Sequence, residues 1–267
     1  MKKITVLGSA GMAGHVVYDY LTSLNKYEVG GISRKEFDIE EDLLGLVEFL
    51  ENNKPDIVIN CMGLLIKASQ NNPTKAIFIN SLFPHILSDL PSRIIHLSTD
   101  CVFDGKEGNY SETSLPTDTG WYGRSKALGE IRNNKDLTLR TSIIGPELKE
   151  NGTGLFDWFM HQTGEIQGFS NVMWNGITTL ELAKQLDHIV DTNLSGLYHL
   201  VTDVPISKYG LLLLIQSVWN KTDVKVNQES NTYQNKVLIN NRLGDYNPNI
   251  PNYPTQLEEL KRWMDKK

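Results

Sequence analysis

The sequence predicts an α/β fold in which a doubly wound parallel sheet is followed by a smaller C-terminal cap. First, a short apolar run at 3–7 is stopped by Gly8 and followed by apolar residues at helical spacing. Second, β-branched runs and helical patterns alternate along the first half of the chain, which is typical of right-handed βαβ crossovers. Third, 267 residues with 40% hydrophobic and 22% charged side chains are enough to bury a sizeable core.

Apolar periodicity and turn residues predict the elements in order. Strands are expected at 3–7, 27–32, 57–61, 93–97 and 137–144, and helices at 12–24, 41–53, 74–87 and 122–133. After Gly145-Pro146 the pattern changes, with helices expected at 155–162, 179–192 and 207–219, a strand at 196–201 and a last helix from Pro254. We therefore expect 1–145 to form the sheet core and 146–267 to be mainly the cap, with some elements returning to the core.

Composition argues against several classes of partner. The formal net charge of −6 and the interspersed basic residues do not suit a nucleic-acid groove. The N-terminal apolar run is broken by small residues, so we expect a strand and a turn there rather than a signal peptide or a membrane segment. Cys61 and Cys101 have no CxxC spacing, which favours free thiols and a cytoplasmic location. The six histidines show no metal-binding spacing, and no metal site is expected.

A glycine turn joins the first strand to the first helix. Gly8, Gly11 and Gly14 are spaced so that the backbone can approach a pyrophosphate at the positive end of the helix dipole. Ala10 and Met12 lie within the same turn and are expected to contact the ligand as well. The pattern predicts dinucleotide binding, and a purely structural turn is the alternative.

The end of the second strand indicates which dinucleotide is bound. A carboxylate that could take the ribose 2′-hydroxyl is absent at that position, and Ser33-Arg34 stands there instead. A guanidinium next to a hydroxyl suits a 2′-phosphate, so NADP(H) is favoured and NAD(H) remains the alternative. Arg34 could also be an ordinary solvated loop residue.

Tyr122 and Lys126 are spaced by four residues at a predicted helix start, so they share one face. A phenol with a nearby ammonium can act as a proton donor to a carbonyl oxygen, because the positive charge lowers its pKa from about 10. An ordinary helix-surface pair is the alternative. The predicted strand before it ends in Ser98-Thr99-Asp100, which places hydroxyl groups at the carboxyl edge of the sheet.

The glycine turn, STDCVFDG, YGRSK and LRTSIIG together resemble the extended short-chain dehydrogenase/reductase superfamily and its dTDP-4-dehydrorhamnose reductase-like branch. The resemblance covers most of the chain and implies a Rossmann core. It also implies that Thr99, Tyr122 and Lys126 are catalytic, with Thr99 chosen over Ser98 because it stands three residues before Val102.

The same resemblance implies further site residues. Additional cofactor contacts would be Asp38 and Ile39 on the adenine side, and Cys61, Met62, Gly63 and Asn80 on the nicotinamide side. Tyr122 and Lys126 would also contact the cofactor, with Lys126 holding the nicotinamide ribose. Substrate contacts would be Thr99, Asp100, Cys101, Val102 and Trp174. The chain departs from the branch at Cys101, where an aromatic residue is usual, at Met12-Ala13 and around Trp174, which leaves the identity of the sugar open.

The expected function is NADP-dependent reduction of the 4-keto group of a nucleotide-activated deoxysugar for surface polysaccharide or glycoconjugate synthesis. A nucleotide-sugar epimerase or dehydratase would use the same three residues, with Asp100 as a further acid or base. A non-catalytic NADP-binding regulatory subunit is the third hypothesis, although it would not need a proton donor. The resemblance also implies a homodimer, but no apolar stripe in the sequence marks an interface.

Overall fold

The computed structural model describes residues 1–149 and 152–267. Its strands are β1 (Lys3–Leu7), β2 (Glu28–Ile32), β3 (Ile57–Asn60), β4 (Arg93–Thr99), β5 (Leu137–Thr141), β6 (Ile143–Ile144), β7 (Gly164–Trp174), β8 (Ile177–Thr178), β9 (Gly196–His199), β10 (Ile206–Ser207) and β11 (Val224–Asn235). Its α-helices are α1 (Met12–Ser23), α2 (Leu43–Asn53), α3 (Ile66–Asn71), α4 (Pro73–Ala76), α5 (Phe83–Ser88), α6 (Trp121–Leu128), α7 (Leu155–Met160), α8 (Thr179–Ile189), α9 (Lys208–Trp219) and α10 (Tyr253–Met264).

Six parallel strands form the central sheet in the order β2-β1-β3-β4-β5-β9. From β1 the chain adds β2 on one side and then β3 on the other, so the strand order reverses between β1 and β3. Open α/β sheets bind their ligands in the crevice at the carboxyl ends of the strands where this reversal occurs. The predicted α/β fold with a parallel sheet is therefore confirmed.

Helices cover both faces of the central sheet. On one face α1 packs on α8, and Val17 and Leu21 contribute to an apolar cluster with Leu186. On the other face Leu46 of α2 and Phe83 of α5 belong to a second cluster. Each helix presents apolar residues three or four positions apart to the sheet, which accounts for the helical spacing in the sequence.

The C-terminal part forms a second, smaller sheet and also returns to the first. β7 pairs in parallel with β11 and antiparallel with β10, while α7, α9 and α10 supply the apolar cluster beneath them. β9 joins β5 in the central sheet, and α8 packs beside α1. No helix in the described part of the chain has both the length and the apolar character needed to cross a membrane.

Several predicted elements end or divide differently in the structure. The strand expected at 137–144 divides at Ser142, whose carbonyl accepts a hydrogen bond from Ile177 and so directs β6 to β8. The helix expected at 122–133 ends at Leu128, after which Gly129 lies against the carbonyl of Asn80. The helix α3 and the long strands β7 and β11 were not predicted.

The helix expected at 74–87 is interrupted by a π-helical turn, Ile77–Leu82, between α4 and α5. Pro84 explains the wider turn. It has no N–H to donate to the carbonyl of Asn80, and its ring would crowd that carbonyl in an α-helix. The π-helical turn contains Asn80, so the irregularity belongs to the region of the predicted site.

Candidate active site

The glycine turn brings β1 and α1 into close contact. Gly8 has a φ of 77°, and a Cβ atom at Gly14 would overlap the carbonyl oxygen of Gly8. Gly11 is the N-cap of α1 and provides no side-chain capping bond. The first amides of α1, including that of Met12, therefore keep their hydrogens available for an anionic ligand. These features fit the pyrophosphate of a dinucleotide.

Arg34 follows β2 and is held by two carboxylates. Its Nε donates to Asp38 Oδ2 at 2.7 Å, and its Nη2 lies 3.1 Å from Glu40 Oε2. The Arg34 side chain is 67% exposed, and its hydrogen bond lowers the pKa of the Asp38 carboxyl. Ser33 donates from Oγ to Glu36 at 2.6 Å. A 2′-phosphate at this position would therefore compete with carboxylates already bound to both groups.

A cavity of about 390 Å³ opens beside Arg34, and its walls include Glu40, Asn72 and Phe78. It lies on the side of the crevice where the resemblance places the adenine. Ile39, which was predicted to contact the cofactor, is only 3% exposed and belongs to the core cluster against which Phe78 packs.

The loop after β3 is fixed next to Asn80. The Asn80 side chain accepts from Leu64 N at 2.8 Å and donates to Leu64 O at 3.0 Å. A Cβ atom at Gly63 would lie 3.5 Å from Asn80 Oδ1 and 4.0 Å from Lys126 Nζ. The structure thus brings together three residues predicted on the nicotinamide side. The neighbouring Cys61 thiol is protonated, because burial raises its pKa to about 12.

Lys126 is buried and points toward β4. Its Nζ donates to Leu97 O at 2.6 Å and lies 3.3 Å from His96 Nε2, while His96 Nδ1 is 3.1 Å from the Asn60 amide nitrogen. Burial lowers the pKa of Lys126 to about 8, and burial together with Lys126 lowers the pKa of His96 well below its usual range. His96 thus connects the side chains of Asn60 and Lys126.

Thr99 ends β4 and caps the short 3₁₀ turn that follows. Its hydroxyl donates to Asp100 Oδ1 at 3.1 Å and accepts from Cys101 N at 3.1 Å. The Tyr122 phenol lies near the Thr99 hydroxyl, whose hydrogen bond lowers the pKa of the phenol. Burial is the largest influence on the Tyr122 phenol and raises its pKa, so the phenol stays protonated at neutral pH. We expected Lys126 to lower this pKa, but its ammonium is turned toward Leu97 and His96, and the pKa is raised instead.

Gly123 allows α6 to approach the turn after β4. A Cβ atom at this position would overlap the carbonyl oxygen of Cys101. The other side of α6 is held by Ser81, which donates to Ser125 O at 2.8 Å, and by Asn80, which donates to Ser125 Oγ at 3.0 Å. These contacts place Tyr122 beside Thr99. Sequence reasoning did not single out Gly123, although it stands inside the YGRSK motif.

A buried ion pair lies behind Thr99. Arg140 donates from Nε and Nη2 to the two oxygens of Glu130 at 2.6 and 2.7 Å, and Ser98 Oγ donates to Glu130 at 3.0 Å. Arg140 and Glu130 side chains are 0% and 1% exposed. The pair fixes the end of β4, and nothing in the local sequence pattern predicted it.

Two predicted substrate residues are less accessible than expected. Val102 is 0% exposed and packs with Phe103 in the core, so its side chain does not face the crevice. Trp174 is 3% exposed, stacks on Tyr253 and carries the Lys208 ammonium 4.5 Å from its ring centroid. The described residues contain no group of three or more His, Cys, Asp or Glu side chains that could hold a metal ion.

Proteins similar to this chain include two curated reductases. The dTDP-4-dehydrorhamnose reductase of Aggregatibacter actinomycetemcomitans is 30% identical over 162 residues, which cover 57% of this chain and 54% of that protein. The dTDP-4-keto-6-deoxy-D-glucose reductase of Streptomyces niveus is 26% identical over 208 residues, which cover 73% of this chain and 70% of that protein. The match thus spans about half the length of the first relative and somewhat more of the second.

The fold is similar to a crystal structure of dTDP-4-dehydrorhamnose reductase from Bacillus anthracis in complex with NADP. The two chains superimpose with a TM-score of 0.85 over the full length of both, at 21% sequence identity. Residues 1–237 match the family model described as the RmlD substrate binding domain. The resemblance inferred from the motifs is confirmed, and the chain belongs to the RmlD substrate-binding domain family.

Proposed function

We propose that this protein reduces the keto group of a nucleotide-activated deoxysugar, as a dTDP-4-dehydrorhamnose reductase-like enzyme that uses NADPH. The observation that carries this proposal is that Thr99, Tyr122 with a protonated phenol, and Lys126 lie together at the carboxyl edge of the sheet. The glycine turn nearby leads into α1, whose N-terminus has no side-chain cap. The family membership and the names of the relatives support it.

The three side chains have distinct roles in the proposed reaction. NADPH, when bound, supplies the hydride that the carbonyl carbon receives. Tyr122 keeps its proton at neutral pH and gives it to the carbonyl oxygen. The Thr99 hydroxyl, which donates to Asp100 in the structure, would donate to the carbonyl oxygen of the substrate instead. Lys126 contributes positive charge next to the loop at Gly63.

Cofactor and substrate are assigned to different parts of the chain. Residues 1–145 would hold NADP(H), with Arg34 and Ser33 at the 2′-phosphate, and residues 146–267 would mainly cover the sugar nucleotide. NAD(H) is the weaker candidate because Ser33 and Arg34 directly follow β2, at the position where a carboxylate would accept the 2′-hydroxyl bond. The product would supply surface polysaccharide or glycoconjugate synthesis.

One observation favours a second function. Asp100 accepts a hydrogen bond from Thr99 at 3.1 Å, so a carboxylate lies next to the proposed reacting oxygen. A dehydratase or epimerase needs such an additional acid or base, and it would return the hydride to the sugar without net consumption of cofactor.

The test is NADPH oxidation by the purified protein with a panel of nucleotide-linked 4-keto-6-deoxysugars. We expect oxidation with at least one sugar, and a rate reduced at least a thousandfold in Tyr122→Phe, whose Kd for NADPH should be unchanged. Isomerised or dehydrated sugar without net oxidation would favour the second function. Equal activity in Tyr122→Phe would refute the catalytic assignment, and tight NADPH binding without any turnover would favour a regulatory subunit.

A further inference from the structure

A cavity of about 440 Å³ lies in the C-terminal cap between α7, β7 and α9. Its walls are mainly apolar and include the rings of Trp158 and Phe169, each 39% exposed. The cap touches the glycine turn near this cavity, because a Cβ atom at Gly154 would lie 2.5 Å from Met12 Cε. The cavity is therefore next to the crevice that holds the proposed reaction.

Lys208 is the cation that lines this cavity. Among residues 1–149 and 152–267, no carboxylate lies within 4.0 Å of its Nζ, and it makes no hydrogen bond to a side chain or carbonyl described there. Burial lowers the pKa of Lys208 to about 8, with Asp100 acting in the opposite direction. The ammonium is therefore partly desolvated without a paired anion, and it lies within electrostatic range of the turn after β4.

A second unpaired donor lies beneath Lys208. The indole Nε1 of Trp174 is buried and has no acceptor among the residues that the structure describes. Buried donors without a partner are uncommon in proteins, because each loses its hydrogen bond to water and gains none in return. Lys208 lines the cavity, and the Trp174 ring lies against its ammonium. Two donors that have no acceptor among the described residues thus lie at this end of the cavity, which suits a ligand with negatively charged oxygens.

We propose that Lys208 binds the diphosphate of the nucleotide-sugar substrate, with the base placed against the aromatic walls formed by Trp158 and Phe169. Lysine binds phosphate as a point charge, and a diphosphate is the anionic part that nucleotide sugars share. Apolar walls with one or a few placed polar groups are typical of small-molecule sites. The inference rests on the proposed function for the identity of the ligand, and it adds a residue that would determine substrate affinity.

The experiment is calorimetric binding of dTDP and UDP, and of thymidine and uridine, to the full chain and to three variants. We expect the wild type to bind at least one diphosphate, Lys208→Met to weaken that binding at least tenfold, and Lys208→Arg to weaken it about threefold or less. Thymidine or uridine affinity should be the same in Lys208→Met and wild type. Lys225→Met is the matched control, because Lys225 lies on β11 of the same cap but is 68% exposed and paired with Glu165.

Several outcomes would overturn the inference. The first is an unchanged diphosphate affinity in Lys208→Met, and the second is an equal loss of nucleoside affinity in that variant. The third is that the wild type binds no diphosphate at millimolar concentration. A higher Kd for NADPH in Lys208→Met would assign Lys208 to the cofactor site and would also contradict the inference. Because binding is measured without turnover, loss of diphosphate binding in Lys208→Met supports the inference even if no sugar is reduced.

Discussion

Tyr122 and Lys126 lie four residues apart on α6, but their polar atoms are directed to different groups. The phenol lies near Thr99, whereas the ammonium contacts Leu97 O and His96. Both side chains are desolvated, which raises the pKa of Tyr122 and lowers that of Lys126. At neutral pH the site therefore holds a proton on the phenol, which is the form that a reductase requires.

The pH profile should report on Lys126. A lysine is charged below its pKa, so the charged fraction of Lys126 falls as the pH rises through about 8. The phenol remains protonated across that range. We expect kcat/KM for reduction to fall above about pH 8 in the wild type, and Lys126→Arg to keep its own maximal value to higher pH because a guanidinium stays charged. An identical alkaline fall in Lys126→Arg would contradict this assignment.

Arg34 should affect the two cofactors unequally. Its guanidinium is exposed and held by carboxylates, so a 2′-phosphate gains charge-assisted bonds but must displace Asp38 or Glu40. We expect Arg34→Ala to raise the Kd for NADPH about tenfold or more and to change the Kd for NADH less than threefold. Fluorescence titration with both cofactors measures this. A similar change for the two cofactors would remove the 2′-phosphate contact from the account.

The sequence predicted the residue types at the site better than their contacts. The spacing of Tyr122 and Lys126 and the position of Thr99 follow from one helix and one strand end. The direction of Lys126 Nζ depends on Leu97 O and on His96, which come from a neighbouring strand. Such long-range contacts have no periodic signal in the chain. The same holds for Lys208, because its lack of a carboxylate partner within the described residues depends on long-range packing in the cap.

At the scale of elements, close packing of α6 against the turn after β4 positions the proposed acid. Gly123 has no side chain, so α6 can approach the carbonyl of Cys101. Ser81 and Asn80 hold the opposite side of the helix. The distance from Tyr122 to Thr99 is therefore determined by packing between α6 and the turn after β4, and not by either proposed catalytic side chain.

Gly123→Ala should therefore impair catalysis through position. The added methyl group would overlap the carbonyl of Cys101 and move α6 away from the turn. We expect kcat to fall at least tenfold with less than a threefold change in the Kd for NADPH. Gly30→Ala is the control, because a Cβ atom at Gly30 has no neighbour within 4 Å. Wild-type kcat in Gly123→Ala would show that this contact does not position Tyr122.

Most elements of the central sheet could be predicted, and the cap sheet could not. β1, β3 and β4 are apolar because both faces are covered by helices, which gives continuous apolar runs. β11 contains the polar stretch NQESNTYQN and is largely solvent-facing, so it lacks the alternation that identifies a half-buried strand. The π-helical turn at Ile77–Leu82 is also invisible to periodicity, because it depends on the missing N–H of Pro84.

For the whole molecule, the buried Glu130–Arg140 pair connects the centre of the sheet to the C-terminal part. Arg140 Nη1 lies 3.3 Å from His199 Nε2 on β9, and His199 Nδ1 lies 2.8 Å from the carbonyl of Ile239. Glu112 accepts from the amides of His199 and Asn241. These contacts join three distant parts of the chain near the end of β4.

Arg140→Met should destabilise the protein strongly, because it removes the fully buried partner of Glu130 and leaves only the half-exposed Arg132 beside that carboxylate. We expect the free energy of unfolding to fall by about 3–5 kcal/mol, measured by urea denaturation. The double variant Glu130→Leu/Arg140→Met should be more stable than Arg140→Met, since no charge remains uncompensated. Lys225→Met, which removes an exposed ion pair, should change stability by less than about 1 kcal/mol. A small loss in Arg140→Met would contradict the role assigned to this pair.

In the proposed reaction, hydride from NADPH is transferred to the carbonyl carbon of the sugar, and Tyr122 donates the proton. The most direct test is to supply NADPH carrying deuterium at the transferable C4 position and to locate the label in the product by NMR. We expect one deuterium on the carbon of the new alcohol for each NADPH consumed, and no labelled product from Tyr122→Phe. Sugar that is converted without net NADPH consumption, or labelled product from Tyr122→Phe at the wild-type rate, would contradict the proposed reaction.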